Sequence, residues 1–164
     1  MNRIPILDRP AIERKLKRMA WEVCEHAAGA KGVTIIGIEG GGTAVAEELA
    51  GLVRSISDLD VQLCGIRLDK KSPLSPAPVL IGEVLHSMVV LTDDVAASGS
   101  TLLHALRPVL DGRPASIKIA VLVDRQHKAF PLVPDIVGHT LATTLQENIM
   151  VEVADGHAVA AYLE

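Results

Sequence analysis

The chain has 164 residues, of which 49% are hydrophobic and 22% charged, and its formal net charge is -4 at neutral pH. This length suits one domain with its own core, and the acidic balance gives no global case for nucleic-acid binding. Because no apolar run reaches the ~20 residues of a membrane helix and the start is too polar for a signal peptide, we expect a cytoplasmic protein.

The first part of the chain alternates predicted helices with predicted strands. Asp8 has the side chain of an N-cap, and the apolar residues after it recur at helical spacing. Thr43 is the predicted N-cap of the second helix. The predicted elements are a helix from Asp8 to a stop at Gly29, a β-branched strand over 33–38, a helix from Thr43 to about Ile56 and a strand over 61–68.

Residues 69–87 differ in composition from their neighbours. They contain three prolines and two lysines around the apolar sequence VLIGEVL. Prolines interrupt helices, whereas a short apolar run between turn residues is typical of a hairpin strand. We therefore expect an excursion from the fold that contains a hairpin.

The second part of the chain predicts further buried strands and one helix. The predicted elements are a strand over 88–93, a helix over 100–111 with Pro108 in its last turn, and strands over 116–124, 135–140 and 149–154. Continuous apolar strands that alternate with helices are typical of a parallel sheet covered on both faces. The sequence therefore predicts an α/β fold with a central, mostly parallel sheet flanked by helices, and 149–154 as a short C-terminal edge strand.

The sequence VVLTDDVAASGSTL combines an acidic pair with a loop of small residues. Asp93 and Asp94 come at the predicted end of a strand, where ligands bind in open α/β sheets. Two adjacent carboxylates suit a pair of sugar hydroxyls or a hydrated Mg²⁺ ion. The loop offers backbone N–H groups and hydroxyls at a helix N-terminus, which favours a phosphate. Its residues are Ala96, Ala97, Ser98, Gly99, Ser100 and Thr101.

Three other kinds of structure share features with this block. A capped strand-to-helix turn with two solvated aspartates is the simplest alternative. A Walker phosphate loop needs a Gly-Lys pair, which the chain lacks. A phospho-acceptor receiver domain has its acidic pair after the first strand, whereas this pair lies in the middle of the chain. The block therefore favours a sugar-phosphate site.

A second glycine-rich loop, EGGG, follows the first strand. It does not fit the dinucleotide pattern GxGxxG, because Val45 stands where the third glycine belongs. Glycines allow unusual backbone geometry and close approach of an anion. The alternative is a flexible connection between strand and helix.

The sequence VVLTDDVAASGST resembles the phosphoribosyl pyrophosphate (PRPP) motif of type I phosphoribosyltransferases. The stretches ILDRPAIERKLKRMAWEV, GRPASIKIAVLVDRQHKAFPLVPDIVGHT and ENIMVEVADG extend the likeness over nearly the whole chain. They are most similar to the bifunctional pyrimidine-attenuation regulators that are also uracil phosphoribosyltransferases. The resemblance implies one phosphoribosyltransferase-like domain over 1–164, with a flexible hood at about 67–87, and a homodimer or higher homo-oligomer.

The resemblance also implies a role for each candidate residue. Asp93 and Asp94 bind the ribose hydroxyls and Mg²⁺, directly or through water, and the 96–101 loop binds the 5′-phosphate. The implied pyrophosphate-binding residues are Glu39, Gly40, Gly41 and Gly42, with Lys70 and Lys71 from the hood. Asp124 and Arg125 join the acidic pair as catalytic residues. The implied base-binding residues are Asp135, Ile136, Val137 and Gly138.

Each of these roles has a structural alternative, and the chain departs from its relatives at two places. The hood lysines also fit a solvated charge cluster, the Asp124–Arg125 stretch a surface salt bridge, and 135–138 a short core strand. Relatives carry a basic residue, Thr and Arg where this chain has Glu39, Gly40 and Gly41, and Tyr-Arg where it has Asp69 and Lys70. A carboxylate repels pyrophosphate, and a lost Arg removes a bidentate anion contact, which argues against efficient catalysis.

The sequence thus predicts a PRPP-binding phosphoribosyltransferase of pyrimidine metabolism and nucleotide salvage. A nucleobase, uracil by resemblance, would displace pyrophosphate. The alternative is a nucleotide-sensing, RNA-binding regulator with weak or no transferase activity, which the altered loop favours and the acidic balance disfavours. A degenerate member that serves as an assembly subunit is the third reading.

Overall fold

Two β-sheets and three helices make up the computed structural model, which describes residues 3–144 and 147–164. The elements are β1 (Ile4–Leu7), α1 (Arg9–His26), β2 (Gly32–Ile38), α2 (Gly41–Ile56), β3 (Asp60–Arg67), β4 (Val79–Ile81), β5 (Met88–Ala96), α3 (Ser100–Asp111), β6 (Ser116–Arg125), β7 (Ile136–Leu141), β8 (Ile149–Ala154) and β9 (His157–Leu163). Among these described residues, no helix combines the length and apolar character needed to cross a membrane.

The central sheet has the strand order β4-β3-β2-β5-β6-β7. Five of its strands are parallel, and β4 pairs antiparallel with the end of β3. This confirms the predicted α/β fold with a mostly parallel sheet. The β3–β4 pair is the hairpin expected in the proline-containing excursion, although β4 has only three residues.

Helices cover both faces of the central sheet, and each face has its own apolar core. In β2, Ile35 packs with α1 and α2, whereas its neighbour Ile36 packs with α3. Successive side chains of a strand point to opposite faces, so a strand buried on both faces is apolar throughout. All seven residues of β2 are buried accordingly.

The second sheet is antiparallel, with the strand order β1-β9-β8. The predicted C-terminal edge strand is β8, which lies at the edge of this second sheet. Strands β1 and β9 were not predicted from the sequence. Asp155 and Gly156, with φ of +51° and +78°, form the turn between β8 and β9, and an Asp-Gly pair between apolar runs is a hairpin signal.

The structure confirms one of the two predicted helix N-caps, and α3 spans Ser100–Asp111 as the sequence predicts. Asp8 caps α1, because its Oδ1 accepts the N–H of Ala11 at 2.9 Å. The prediction that Thr43 caps α2 is wrong: α2 begins at Gly41, and Gly40 is its cap residue with φ +100° and no side-chain hydrogen bond. Only glycine adopts such a φ without strain, so the backbone turns sharply here and leaves the N-terminus of α2 without a side-chain cap.

A partly buried charge network fastens α1 and α2 to the second sheet. Arg9 donates to both carboxylate oxygens of Glu48, at 3.0 and 2.7 Å, and to the carbonyl of Ala158 at 2.7 Å. Glu48 also accepts the Ala158 N–H at 2.9 Å, and its side chain is only 9% exposed. Burial raises the pKa of Glu48, but the hydrogen bonds from Arg9 and Ala158 outweigh burial and lower it.

Replacing Glu48 tests this network against a neighbouring control. Glu48→Ala leaves the Ala158 N–H without its acceptor and removes the two hydrogen bonds that Arg9 donates to Glu48, so we expect a loss of about 3 kcal/mol in the free energy of unfolding. Glu47→Ala removes an exposed carboxylate one position earlier and should change stability by less than ~0.5 kcal/mol. Urea denaturation of both variants checks this, and equal effects would contradict the role given to Glu48.

Candidate functional site

A cavity of about 290 Å³ lies where β5 ends and the loop before α3 begins. It is lined by Lys70, Asp93, Asp94, Val95, Ala96, Ala97, Ser98, Gly99, Thr101, Leu102, Ile149, Met150 and Val151. The acidic pair and most of the small-residue loop therefore share one cavity. Ile149, Met150 and Val151 of β8 form its apolar wall, which sequence reasoning missed because spacing along the chain does not place β8 beside the acidic pair.

The acidic pair lies inside β5 rather than at its end. The strand continues to Ala96, three residues past the end predicted from the sequence, because Asp93, Val95 and Ala96 remain in register with β6. Asp93 is 1% exposed, and the Asp94 side chain is 17% exposed. The two carboxylates therefore lie beside the cavity largely screened from bulk water.

Lys70 of the excursion between β3 and β4 bridges the two carboxylates. Its Nζ lies 2.9 Å from Oδ1 of Asp93 and 3.5 Å from Oδ1 of Asp94. The neighbouring Lys71 is exposed, and its backbone N–H donates to Oδ1 of Asp69 at 2.8 Å. Of the two lysines predicted to bind pyrophosphate, the structure thus brings Lys70 to the acidic pair.

The buried carboxyl of Asp93 has a strongly shifted pKa. Burial is the largest cause, and the negative charge of Asp94 adds to it, while the Lys70 ammonium acts in the opposite direction. Together they raise the pKa of Asp93 to about 8. Asp93 therefore holds its proton more readily than an ordinary aspartate, and a divalent cation at this position would favour its ionised form.

The glycine-rich loop packs directly against the acidic pair. A Cβ atom on Gly41 would lie 2.1 Å from Oδ2 of Asp94, and one on Gly42 would lie 3.0 Å from Oδ1 of Asp93. The Asp94 carboxylate therefore excludes a side chain at Gly41, and at Gly42 the Thr92 carbonyl, 2.9 Å from such a Cβ, excludes one together with Asp93. The loop and the acidic pair form one surface at the N-terminus of α2, as their predicted roles require.

Glu39, the acidic residue of this loop, is paired with a cation. Nε of Arg67, at the end of β3, lies 3.3 Å from both carboxylate oxygens of Glu39. Both side chains are more than half exposed, so this ion pair contributes little to stability. The positive charge of Arg67 nevertheless balances the negative charge of Glu39 in the predicted pyrophosphate loop.

The conformation of the 96–101 loop is set by its own residues and by hydrogen bonds from a neighbouring segment. Gly99 has φ +84° and precedes the first turn of α3, a conformation that favours glycine. The N–H of Ser100 donates to Oγ of Ser98 at 3.2 Å. The Ser98 carbonyl accepts the N–H groups of Ala129 and Phe130, both at 3.0 Å. The segment after β6 thus holds the loop in place.

Asp124 and Arg125 lie at the end of β6, with Asp124 in register with Ala96 of β5. Asp124 is paired with Lys128, and both side chains are less than 15% exposed. Arg125 donates through Nη2 to the Thr144 carbonyl at 2.6 Å. Its Nε is screened from solvent and has no hydrogen-bond partner among residues 3–144 and 147–164. Neither Asp124 nor Arg125 lines the cavity. Sequence reasoning did not identify Lys128 as the partner of Asp124, because a spacing of four residues is also typical of ordinary surface ion pairs.

The predicted base-binding segment lies toward the opposite end of the sheet. Oδ2 of Asp135 accepts the N–H of Ile119 at 2.8 Å, near the start of β6, and Ile136 is fully buried. Arg18 donates to the carbonyls of Val137 and Gly138, at 2.7 and 2.9 Å. These four residues do not line the cavity, and their base-binding role stays a prediction.

Comparison with known families and proteins identifies what the chain is similar to. A model of the phosphoribosyl transferase domain matches residues 5–149. The Bifunctional protein PyrR of Geobacter sp. (strain M21) is 40% identical over 157 residues, which cover 89% of this chain and 88% of that protein. The protein of the same name from Herpetosiphon aurantiacus is 35% identical over 159 residues, covering 92% and 89% of the two chains.

Solved structures share the fold at low sequence identity. A hypoxanthine-guanine phosphoribosyltransferase from Bacillus anthracis superposes with a TM-score of 0.76 and 17% identity, covering 98% of this chain and 96% of that one. The hypoxanthine phosphoribosyltransferase of Trypanosoma cruzi gives a TM-score of 0.74 and 16% identity, with 97% and 94% covered. At this sequence identity the similarity shows the fold alone.

The raised pKa of Asp93 predicts how stability depends on pH. Below the unfolded pKa of 3.8 the carboxyl is protonated in both states, and as pH rises toward about 8 the unfolded chain ionises first, so the free energy of unfolding falls. Asp93→Asn should remove this fall and gain on the order of a few kcal/mol over the native chain at about pH 8.

Urea denaturation between about pH 5 and about pH 8 measures this slope. The exposed Asp58→Asn is the control and should keep the pH dependence of the native chain. An Asp93→Asn variant with an unchanged slope would contradict the shifted pKa.

Proposed function

The chain belongs to the phosphoribosyl transferase domain family, and from this premise we propose that it binds PRPP with Mg²⁺ and transfers the phosphoribosyl group to a nucleobase. Pyrophosphate would be the second product. The observation that supports this most is that Asp93, Asp94 and the 96–101 loop meet in one cavity. Carboxylates accept hydrogen bonds from sugar hydroxyls, and a loop at a helix N-terminus favours a phosphate.

The acidic pair fits a cation, because Asp93 and Asp94 already hold the Lys70 ammonium between them. Within the described residues no group of three or more potential ligands forms a metal cluster. Mg²⁺ commonly binds through one or two carboxylates, substrate phosphates and waters, so two aspartates are a sufficient protein contribution. When bound, the ion would neutralise charge on the departing pyrophosphate.

In the proposed reaction a nucleobase nitrogen attacks the anomeric carbon of PRPP, and the bond to pyrophosphate breaks. The transition state resembles an oxocarbenium ion, as in glycosyl transfer generally. Asp93 and Asp94 would orient the ribose and balance its developing positive charge, while the 96–101 loop fixes the 5′-phosphate. Closure of the 67–87 hood over the cavity would exclude water and suppress hydrolysis.

The remaining roles extend this proposal. Glu39, Gly40, Gly41 and Gly42 would contact pyrophosphate, with Lys70 and Lys71 from the hood, and Asp124 and Arg125 would act at the same edge of the sheet. The base-binding role of 135–138 stays a prediction, and uracil is the base implied by resemblance. We also propose that the chain forms a homo-oligomer and acts in the cytoplasm.

A nucleotide-sensing, RNA-binding regulator with weak or no transferase activity is the second candidate. The loop without an arginine favours it, since Glu39 replaces a cation beside the proposed pyrophosphate position. Cations also cluster on α1, where burial and the charges of Arg18 and Arg14 lower the pKa of Lys15. Turnover decides between the two candidates, because the regulator needs PRPP or nucleotide binding but no product.

Asp94→Asn tests the proposed ribose contact. Calorimetric titration with PRPP and Mg²⁺ should show binding to the native chain and an affinity about 10–100-fold lower for the variant, as expected for losing a charged hydrogen-bond acceptor. Asp58→Asn is the control. Adding each nucleobase in turn and assaying pyrophosphate then tests transfer. Unchanged affinity would contradict the role of Asp94, and binding without turnover for any base would contradict the transferase.

A matched pair of glycines tests the packing of the loop against the acidic pair. Gly41→Ala places a methyl group within 2.1 Å of the Asp94 carboxylate, which must turn away, so affinity for Mg²⁺ and PRPP should fall by about tenfold or more. Gly51→Ala meets no atom within 4 Å and should stabilise α2 by about 0.5–1 kcal/mol without affecting binding. Calorimetry and thermal unfolding report both effects, and equal affinities would contradict this packing.

A further inference from the structure

The hood segment between β3 and β4 is fastened to the acidic pair through one side chain. The backbone hydrogen bonds within this segment close two turns. The N–H of Ser72 donates to the Asp69 carbonyl at 3.2 Å, and the N–H of Ser75 donates to the Ser72 carbonyl at 3.0 Å. Among the described residues, the hydrogen bonds and ion pairs that join 69–76 to the rest of the chain are those of Lys70.

We propose that the Lys70 ammonium occupies the position between Asp93 and Asp94 at which a divalent cation would bind. A divalent ion, and the sugar that accompanies it, must displace the ammonium before they bind, and this displacement releases the hood from the acidic pair. The identity of that sugar, PRPP, rests on the proposed function. The competition between Lys70 and a divalent cation rests on the geometry of the three side chains.

The geometry makes the two cations mutually exclusive. The Lys70 ammonium lies 2.9 Å from Oδ1 of Asp93 and 3.5 Å from Oδ1 of Asp94, so it occupies one oxygen of each carboxylate. A second positive ion at the same oxygens would be repelled at short range. A divalent cation can bind only to those molecules in which Lys70 has left the two carboxylates. The apparent affinity for the cation is therefore the intrinsic affinity multiplied by the fraction of such molecules.

Differences in exposure indicate that this contact is more than an ordinary surface pair. The Lys70 side chain is 41% exposed, whereas that of Asp93 is 2% exposed. A buried carboxylate gains more from a cation than an exposed one, because little water competes for it. The lysine in turn stays accessible at its outer part, so it can leave without opening the core.

Displacement gives Lys70 a new partner within the proposed site. The glycine-rich loop packs on Asp93 and Asp94, and the proposed function puts the pyrophosphate of PRPP at that loop. A displaced ammonium would therefore exchange two carboxylates for a phosphate anion brought by the ligand. This exchange links the charge of the ligand to the position of the hood.

Titration with Mn²⁺ alone tests the competition without any sugar. Lys70→Met keeps the length of the side chain and removes its charge, so it should bind Mn²⁺ about tenfold more tightly than the native chain. Lys31→Met, an exposed lysine far from the cavity, is the control and should bind as the native chain does. Adding Asp94→Asn to Lys70→Met should abolish the gain. Equal or weaker Mn²⁺ binding by Lys70→Met would overturn the proposal.

Residue-resolved acetylation of the native chain provides a second readout. Mn²⁺ alone should increase the labelling of Lys70 several-fold and leave Lys31 unchanged, whereas Mg²⁺ with PRPP should protect Lys70 again. Unchanged labelling of Lys70 on addition of Mn²⁺ would overturn the proposal. Failure of PRPP to bind would instead contradict the proposed function and leave the Mn²⁺ result standing, so the two failures are distinguishable.

Discussion

The candidate site depends on the close packing of two neighbouring carboxylates against two glycines, Gly41 and Gly42. Asp94 occupies the space that a Cβ on Gly41 would need, and the Thr92 carbonyl together with Asp93 does the same at Gly42. Because Asp93 and Asp94 also line the cavity with most of the 96–101 loop, one surface combines the proposed sugar-binding carboxylates with the proposed phosphate-binding loop. A bulkier residue at either glycine would separate these features.

Charge compensation is the second principle of the site. Each carboxylate that the sequence singles out has a cation beside it: Lys70 at Asp93 and Asp94, Arg67 at Glu39, and Lys128 at Asp124. An anionic ligand with a divalent cation does not enter a uniformly positive pocket here. In the proposed function such a ligand would replace internal ion pairs, and its affinity would be the difference in free energy between the new pairings and the old ones. This explains how Glu39 can stand beside a proposed pyrophosphate site.

The sequence was sufficient for features that follow from local chemistry. The buried strands, the Asp8 cap and the mostly parallel sheet come from apolar periodicity and capping, and the structure confirms them. It was insufficient where distant segments meet. The β8 wall of the cavity, the Lys70 bridge and the burial of Asp93 all depend on tertiary packing that spacing along the chain does not encode. The β8–β9 hairpin was predictable, since Asp155-Gly156 is a turn signal.

A crystal structure of the chain with Mg²⁺ and PRPP tests the central claim most directly. The account predicts the 5′-phosphate against residues 96–101, the ribose hydroxyls on Asp93 and Asp94, and the Lys70 ammonium no longer between the two carboxylates. A bound ligand that leaves these residues untouched, with the Lys70 bridge intact, would contradict it.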